Sequence, residues 1–292
     1  MASRFIAGVT LADGIRTIQQ LNSKGINATL DHLGEDTDSA EKAVSAAADI
    51  IQAFDAIEQA GVRANVSVKL TQIGLGISNE ICIENLERIL ERARSYHTFV
   101  RIDMEDSKVT QRTLDVLHTV RQHGYDNVGI VIQAYLYRSE QDIQKLLEEC
   151  IRIRLCKGAY TEPAKVAFPK MQDINSNYDR CASLVINGAM TMECPQVSGD
   201  GKIPPIPGLA THDSRRIDFA KTYAEKVGLP KNAMEFQMLN GIRKDLQEKL
   251  AQEGYCVRVY VPYGTEWYPY VMRRIAERPA DILFLFPFIK FN

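Results

Sequence analysis

Short apolar runs rich in β-branched residues alternate along this chain with longer stretches in which apolar positions recur every three or four residues. The short runs are NATLDHL (27–33), NVSVKL (65–70), FVRIDM (99–104), NVGIVIQA (127–134), RIRLCKG (152–158), GLATHD (208–213), MEFQML (234–239) and CVRVYVP (256–262). Each reads as a strand. Between them lie segments such as SAEKAVSAAADIIQAFDAIEQAG (39–61) and SNEICIENLERILERARSY (78–96), whose i, i+3, i+4 spacing predicts helices. A strand followed by a helix, eight times over in 292 residues, predicts a parallel sheet, and eight units predict closure into a (β/α)8 TIM barrel. An open doubly wound sheet is the alternative. The one irregular interval, ECPQVSGDGKIPPIPG (193–208), is rich in turn formers and reads as an excursion before the sixth strand.

Composition narrows the class. With 45% hydrophobic and 25% charged residues the chain is globular, and 35 basic against 37 acidic residues leave no overall field to attract nucleic acid. Six scattered cysteines form no CxxC and five histidines no HExxH, which fits a reducing compartment and no structural zinc. The N-terminus has no signal-peptide pattern, and no run of about 18 apolar residues spans a membrane. A cytoplasmic location is expected.

In a barrel the C-terminal strand ends share one mouth, where the chemistry sits. In chain order they are expected to present Asp31, Lys69, Asp103, Gln133, Arg154 with Lys157, Thr211 with His212 and Asp213, Glu235 with Gln237, and Arg258 with Tyr260. Any one of these alone is most simply a solvated polar residue. Their repetition at the ends of apolar strands argues for a site. There is no GxSxG elbow and no metal-ligand cluster, so the standard hydrolases are disfavoured, while Lys69 or Lys157 would suit a Schiff-base aldolase. GLGISN, from Gly74, lacks the last glycine of a dinucleotide fingerprint and reads as a turn.

The last helical stretch, WYPYVMRRIAERP, sets Arg273 beside Arg274, with Glu277 four residues after Arg273. A pair of guanidinium forks suits a carboxylate ligand, whereas an exposed i,i+4 ion pair is the plainer reading of the same spacing.

The blocks SVKLTQIGLG, VRIDMED, VIQAYLYRSEQDI, RLCKGAYTEP, ATHD, EFQMLNGIR and VRVYVPYGTEWYPYVMRRIAERPA, in order between Arg4 and Leu285, resemble the signature blocks of the proline dehydrogenase family. The resemblance implies a distorted (β/α)8 barrel, one catalytic domain over residues 1–292, which binds FAD and moves a hydride from C5 of L-proline to flavin N5, giving Δ1-pyrroline-5-carboxylate. It implies that Arg273 and Arg274 grip the proline carboxylate with Glu277 as ion-pair partner, and that Lys69, Asp103, Ala159, Tyr160, Leu239 and Tyr260 surround the ring. Gln133, Arg154, Lys157, Gly158, Thr211 and His212, with Met104 and Cys156 beside them, match flavin positions. Catalytic roles fall to Asp103, Arg154 and Lys69, with Arg154 stabilising negative charge at the N5–O4 edge.

Three departures qualify the match. Asn240 stands where the family usually has Tyr, the 193–208 excursion is long and is expected near the cofactor, and the chain begins close to the first barrel helix, as if trimmed. With no aldehyde dehydrogenase or DNA-binding segment, it resembles the monofunctional type. Such an enzyme passes its electrons to a membrane quinone, sits peripherally at the membrane if it meets one, and hands its product to a separate pyrroline-5-carboxylate dehydrogenase. The apolar C-terminal DILFLFPFIKFN (281–292) reads first as a core-covering segment and second as a membrane or partner contact. A barrel that only senses proline or flavin is the non-enzymatic alternative, disfavoured by the retained Lys69, Asp103 and Arg154.

Overall fold

In a computed structural model, which describes residues 5–191 and 198–277 (275–277 through the backbone alone), eight parallel strands close into a barrel in sequential order. The strands are β1 (Asn27–His32), β2 (Ala64–Val68), β3 (Val100–Ile102), β4 (Val128–Gln133), β5 (Ile153–Cys156), β6 (Pro207–Ala210), β7 (Glu235–Leu239) and β8 (Cys256–Tyr263). Helix α1 (Leu11–Asn22) precedes them. After the successive strands come α2 (Ala40–Gln59), α3 (Asn79–Ser95), α4 (Thr110–Gln122), α5 (Ser139–Glu148), α6 (Met171–Thr191), α7 (Ser214–Val227), α8 (Lys244–Gln252) and α9 (Trp267–Glu277). All eight expected strands are present, and the closed order excludes the open sheet.

Local chemistry sets the helix limits. Ser39 and Ser78 cap α2 and α3 by accepting from the backbone N–H of Lys42 and Ile81, at 3.3 and 3.1 Å. α7 ends on Gly228 in the left-handed conformation, φ 81°. The buried stripe of α2 (Ala43, Ala47, Ile50, Ala53, Phe54, Ile57) faces inward, and its alanines allow close packing.

The strands are buried on both faces, but the two faces differ. Residues such as Leu30, Val66, Val68, Ile102, Ile130, Ile132, Leu155, Phe236 and Val259 join the helices in one hydrophobic layer. The alternate positions line the barrel interior, and there Thr29, Asn65, Ser67, Arg101, Arg154, Glu235, Gln237 and Arg258 are all buried. Barrels usually fill this space with branched aliphatic residues. Here a hydrogen-bonded polar column runs from floor to mouth.

That column corrects two expectations. Glu235 and Arg258 are not at the mouth: Glu235 opens β7, and it accepts from Arg258 Nε at 2.8 Å and from Gln237 Nε2 at 2.6 Å deep in the barrel. The excursion does not approach a cofactor at the mouth either. In its described part, the Gly201 and Pro204 carbonyls accept from Arg258 Nη2 (2.6 Å) and Arg152 Nε (2.7 Å), so it closes the N-terminal floor. It joins a helix to the strand that follows, and such loops lie opposite the active face. Cys82, Cys156, Cys181 and Cys256 take part in no disulfide, but Cys150 is disulfide-bonded, which the reducing reading did not include. Among the described residues no helix is long and apolar enough to cross a membrane. The segment 281–292 lies outside the described residues.

Candidate active site

Five side chains, on or just past five of the strands, meet beneath the mouth: Asp31, Lys69, Asp103, Arg154 and Tyr260. Lys69, just past β2, donates to Asp31 Oδ1 and Oδ2 at 3.1 and 3.2 Å and lies 3.5 Å from Asp103 Oδ2. Tyr260, on β8, donates its hydroxyl to Asp103 Oδ2 at 2.6 Å and lies 3.3 Å from Lys69 Nζ. Arg154, on β5, donates from Nη1 to Asp103 Oδ1 at 2.9 Å and to Ser67 Oγ at 3.0 Å, and from Nη2 to Thr29 Oγ1 at 3.3 Å. With Nε on Gln237 Oε1, its fork is held on every side. A cation fixed in this way needs little rearrangement when negative charge arrives beside it.

Burial alone would lower the Lys69 pKa, but the facing charges of Asp31, Asp103 and Glu35 outweigh it and hold the group well above its ordinary value. Lys69 is therefore a permanent ammonium. A Schiff-base lysine needs the opposite shift, and the other candidate, Lys157, is paired with Asp213 at 2.8 Å. The aldolase alternative loses both of its lysines.

The residues matched to a flavin occupy the neighbouring strand ends. Gln133 and Cys156 are partners across β4 and β5. Gln133 donates to the Glu105 carbonyl at 2.8 Å and accepts from Ala159 N–H at 3.2 Å, and so ties three loops together. Met104 is buried just past β3. Gly158 has φ 133°, and a Cβ there would stand 2.5 Å from the Tyr135 ring, so only glycine fits. His212 Nε2 accepts from Leu239 N–H at 3.0 Å, while Thr211 Oγ1 accepts from Asp213 N–H at 3.1 Å.

Over this floor, α9 is seated by Tyr270 and Val271, which pack with Phe5, Ile6, Leu33 and Ile242, and with Leu239, Tyr260 and Trp267 at the edge. Arg273 thereby reaches the mouth, its guanidinium 5.6 Å from the Tyr160 ring centroid. Both of its terminal nitrogens bond the Glu35 carboxylate, Nη1 to Oε2 at 2.9 Å and Nη2 to Oε1. Arg274 lies over the Tyr270 ring at 5.4 Å. The Glu277 side chain lies outside the described residues.

Residues 14–285 match the family model described as proline dehydrogenase. The chain belongs to the proline dehydrogenase family. It is similar to proline dehydrogenase 2 of Bacillus subtilis, with 42% identity over 98% of this chain and 89% of that one. It is also similar to a proline dehydrogenase of Deinococcus radiodurans, with 41% identity over 98% of this chain and 88% of that one. Its fold resembles a crystal structure of proline utilization A from Bdellovibrio bacteriovorus inactivated by N-propargylglycine, with TM-score 0.84 and 26% identity over 94% of this chain. The chain spans only 32% of that longer protein.

Two acidic residues of the mouth carry no local mark in the sequence. Glu35 follows β1 in a loop, and its partner is 238 positions away, so no local spacing marks it. Glu105 was only part of a block. It is buried, accepts from Thr71 N–H at 3.1 Å and from the Thr71 hydroxyl, and its carboxyl is pushed up to about 7 by burial.

Proposed function

We propose that this chain, as one catalytic domain, oxidises L-proline to Δ1-pyrroline-5-carboxylate with FAD and passes the electrons to a membrane quinone, the product going on to a separate pyrroline-5-carboxylate dehydrogenase. The observation that carries the reading is the arrangement at the mouth: Arg154 locked beneath, Tyr160 and Arg273 above, and Lys69, Asp103 and Tyr260 joined between them. The residues present fit a flavin. Gly158 lets the backbone run against the Tyr135 ring, where any Cβ would clash, and so shapes the end of β5, while Arg154 and Lys157 are cations at the same strand end that an anionic cofactor and its reduced ring would need.

When bound, FAD accepts the hydride that leaves C5 of proline. The side chains prepare that loss. Arg273 and Arg274 would hold the carboxylate, Arg273 through the N–H groups that its pair with Glu35 leaves over or by exchanging Glu35 for substrate. Tyr160, Leu239 and Tyr260 would enclose the apolar ring. The charge on Lys69, together with Arg154 and Arg273, opposes a protonated pyrrolidine nitrogen, so L-proline would release that proton to solvent water as it enters, and the nitrogen lone pair would be ready when the hydride departs. Arg154 then favours the negative charge that results.

The test is anaerobic addition of L-proline to FAD-loaded protein. Bleaching of the flavin absorbance supports the reading. A flavin that stays oxidised overturns the substrate, and failure to take up FAD overturns the cofactor.

A further inference from the structure

Eight large apolar side chains stand exposed among the described residues, and of these only Met190, near the end of α6, lies on the floor side of the barrel. The others sit in the loops or the first two helical turns around the mouth. Single exposed apolar residues are ordinary. Two of these belong to one built knuckle. Tyr137, 47% exposed, lies in the β4–α5 loop, and Met171, 59% exposed, opens α6 at the end of the β5–α6 loop.

The two loops are pinned to each other. Leu136 and Ala167 pair as an antiparallel bridge, with Phe168 N–H donating to the Tyr135 carbonyl at 2.8 Å and Tyr137 N–H to the Val166 carbonyl at 3.1 Å. The Tyr137 hydroxyl donates to the Ala164 carbonyl at 2.8 Å, and its ring meets that of Phe168 edge-on at 4.6 Å. Beneath them Tyr135, Leu136 and Ala167 form a small apolar cluster of their own. The apolar tip therefore stands on an ordered base, and placing it in another phase requires little new ordering of the chain.

Charge points to what covers the tip. Lys165 and Lys170 flank Phe168, both exposed, and neither makes an ion pair among the described residues. The nearby carboxylates are engaged: Glu162 accepts from Ser107 N–H at 2.6 Å, and Asp173 lies in the first turn of α6, where the helix N-terminus favours it. Lysines beside exposed aromatic and aliphatic side chains suit a lipid interface, whereas the contact surfaces of protein partners are depleted in lysine and favour arginine. The same knuckle adjoins the strand ends read as the flavin wall, since the Tyr135 ring lies against Gly158 and Tyr135 N–H donates to the Lys157 carbonyl at 2.8 Å.

We propose that Tyr137, Phe168 and Met171, with Lys165 and Lys170, dock this face of the barrel on an anionic phospholipid bilayer. Docking there brings the flavin wall to the surface that holds the quinone. That consequence rests on the reading of the acceptor as a membrane quinone, and the docking itself does not.

FAD-loaded protein, without proline, is sedimented with vesicles of phosphatidylglycerol and phosphatidylcholine in equal parts, and with vesicles of phosphatidylcholine alone. The expected result is binding to the mixed vesicles that falls about tenfold or more on phosphatidylcholine alone and in the Lys165→Gln, Lys170→Gln double variant, and about fivefold or more in Met171→Glu. A glutamate in the first turn of α6 suits the helix dipole, so Met171→Glu should fold, and both variants should oxidise proline with a soluble dye at the parent rate. A parent that does not bind the mixed vesicles, or variants that bind as the parent does, overturn the docking surface. A parent dimer in sedimentation velocity that Met171→Glu splits into monomers assigns the face to a second copy and overturns it too. Docking as expected, with quinone in the vesicles reduced no faster by the parent than by Met171→Glu, upholds the surface and places the failure in the reading of the acceptor.

Discussion

Tyr260 donates to Asp103 at 2.6 Å although the two stand on β8 and just past β3, three strands apart around the closed barrel. The bond crosses the interior beneath the mouth. Asp103 offers its other oxygen to Arg154, so a single carboxylate couples the proposed substrate wall to the proposed flavin wall.

Removing that hydroxyl should therefore disturb catalysis more than folding. In Tyr260→Phe the ring stays in place, and Asp103 keeps Arg154, Ser67 and Lys69. A lost hydrogen bond to a charged group is worth about 1.5–3 kcal/mol, so kcat/KM for proline should drop about 10- to 100-fold, with a thermal midpoint within a few degrees of the parent. Steady-state kinetics beside a melting curve checks this, and a collapse of the midpoint with activity intact would refute it.

The Arg273–Glu35 pair is a latch as well as a contact. Both partners are about one-fifth exposed, which keeps the bond modest and exchangeable. Glu35→Gln removes the competing charge and should lower the KM for proline by about two- to fivefold, whereas Arg273→Met should raise it by about 10-fold or more. If both variants raise KM alike, Glu35 supports the bound geometry and does not compete with substrate.

Much of this architecture was legible in the chain. Short apolar runs located every strand, and the i, i+3, i+4 spacing located the helices that follow Ser39 and Ser78. Depth along a strand was not legible. Glu235, Gln237 and Leu239 all point inward, but only Leu239 ends its strand, and alternation alone does not separate floor from mouth. Lys69, Asp103 and Arg154 were found because they lie near strand ends. Glu35 was missed because its meaning lies in a contact with the far end of the chain. The excursion was misplaced because its turn residues show that a loop exists and carry no mark of which end of the barrel it closes.

Gly158 gives a direct test of the flavin cradle. An alanine there must adopt φ 133° and place its Cβ against Tyr135, and neither is easily relieved because the contacted atoms are ring carbons. Gly158→Ala should lose most of its bound flavin, read as the ratio of visible to protein absorbance after purification. Full flavin content in this variant would remove Gly158 from the cofactor site.

Glu105 should make stability depend on pH in the direction opposite to that of most carboxylates. Burial is the largest influence and raises the pKa from 4.5 to about 7, against the lowering effect of the Thr71 hydroxyl and N–H and of Lys69. The folded protein therefore binds this proton more tightly than the unfolded chain does. The resulting stability is complete below about pH 4.5 and is lost as pH rises through about 7. Between pH 5 and 8 the loss should amount to about 2–3 kcal/mol. Glu105→Gln keeps an acceptor for Thr71 N–H and cannot ionise, so it should lack this component. Urea unfolding of both proteins across that range gives the comparison: the parent should weaken relative to the variant chiefly between pH 5 and 7 and run parallel to it above. Parallel curves throughout would mean that the carboxylate is solvated enough to ionise normally, and the depth assigned to Glu105 beneath the mouth would have to be given up.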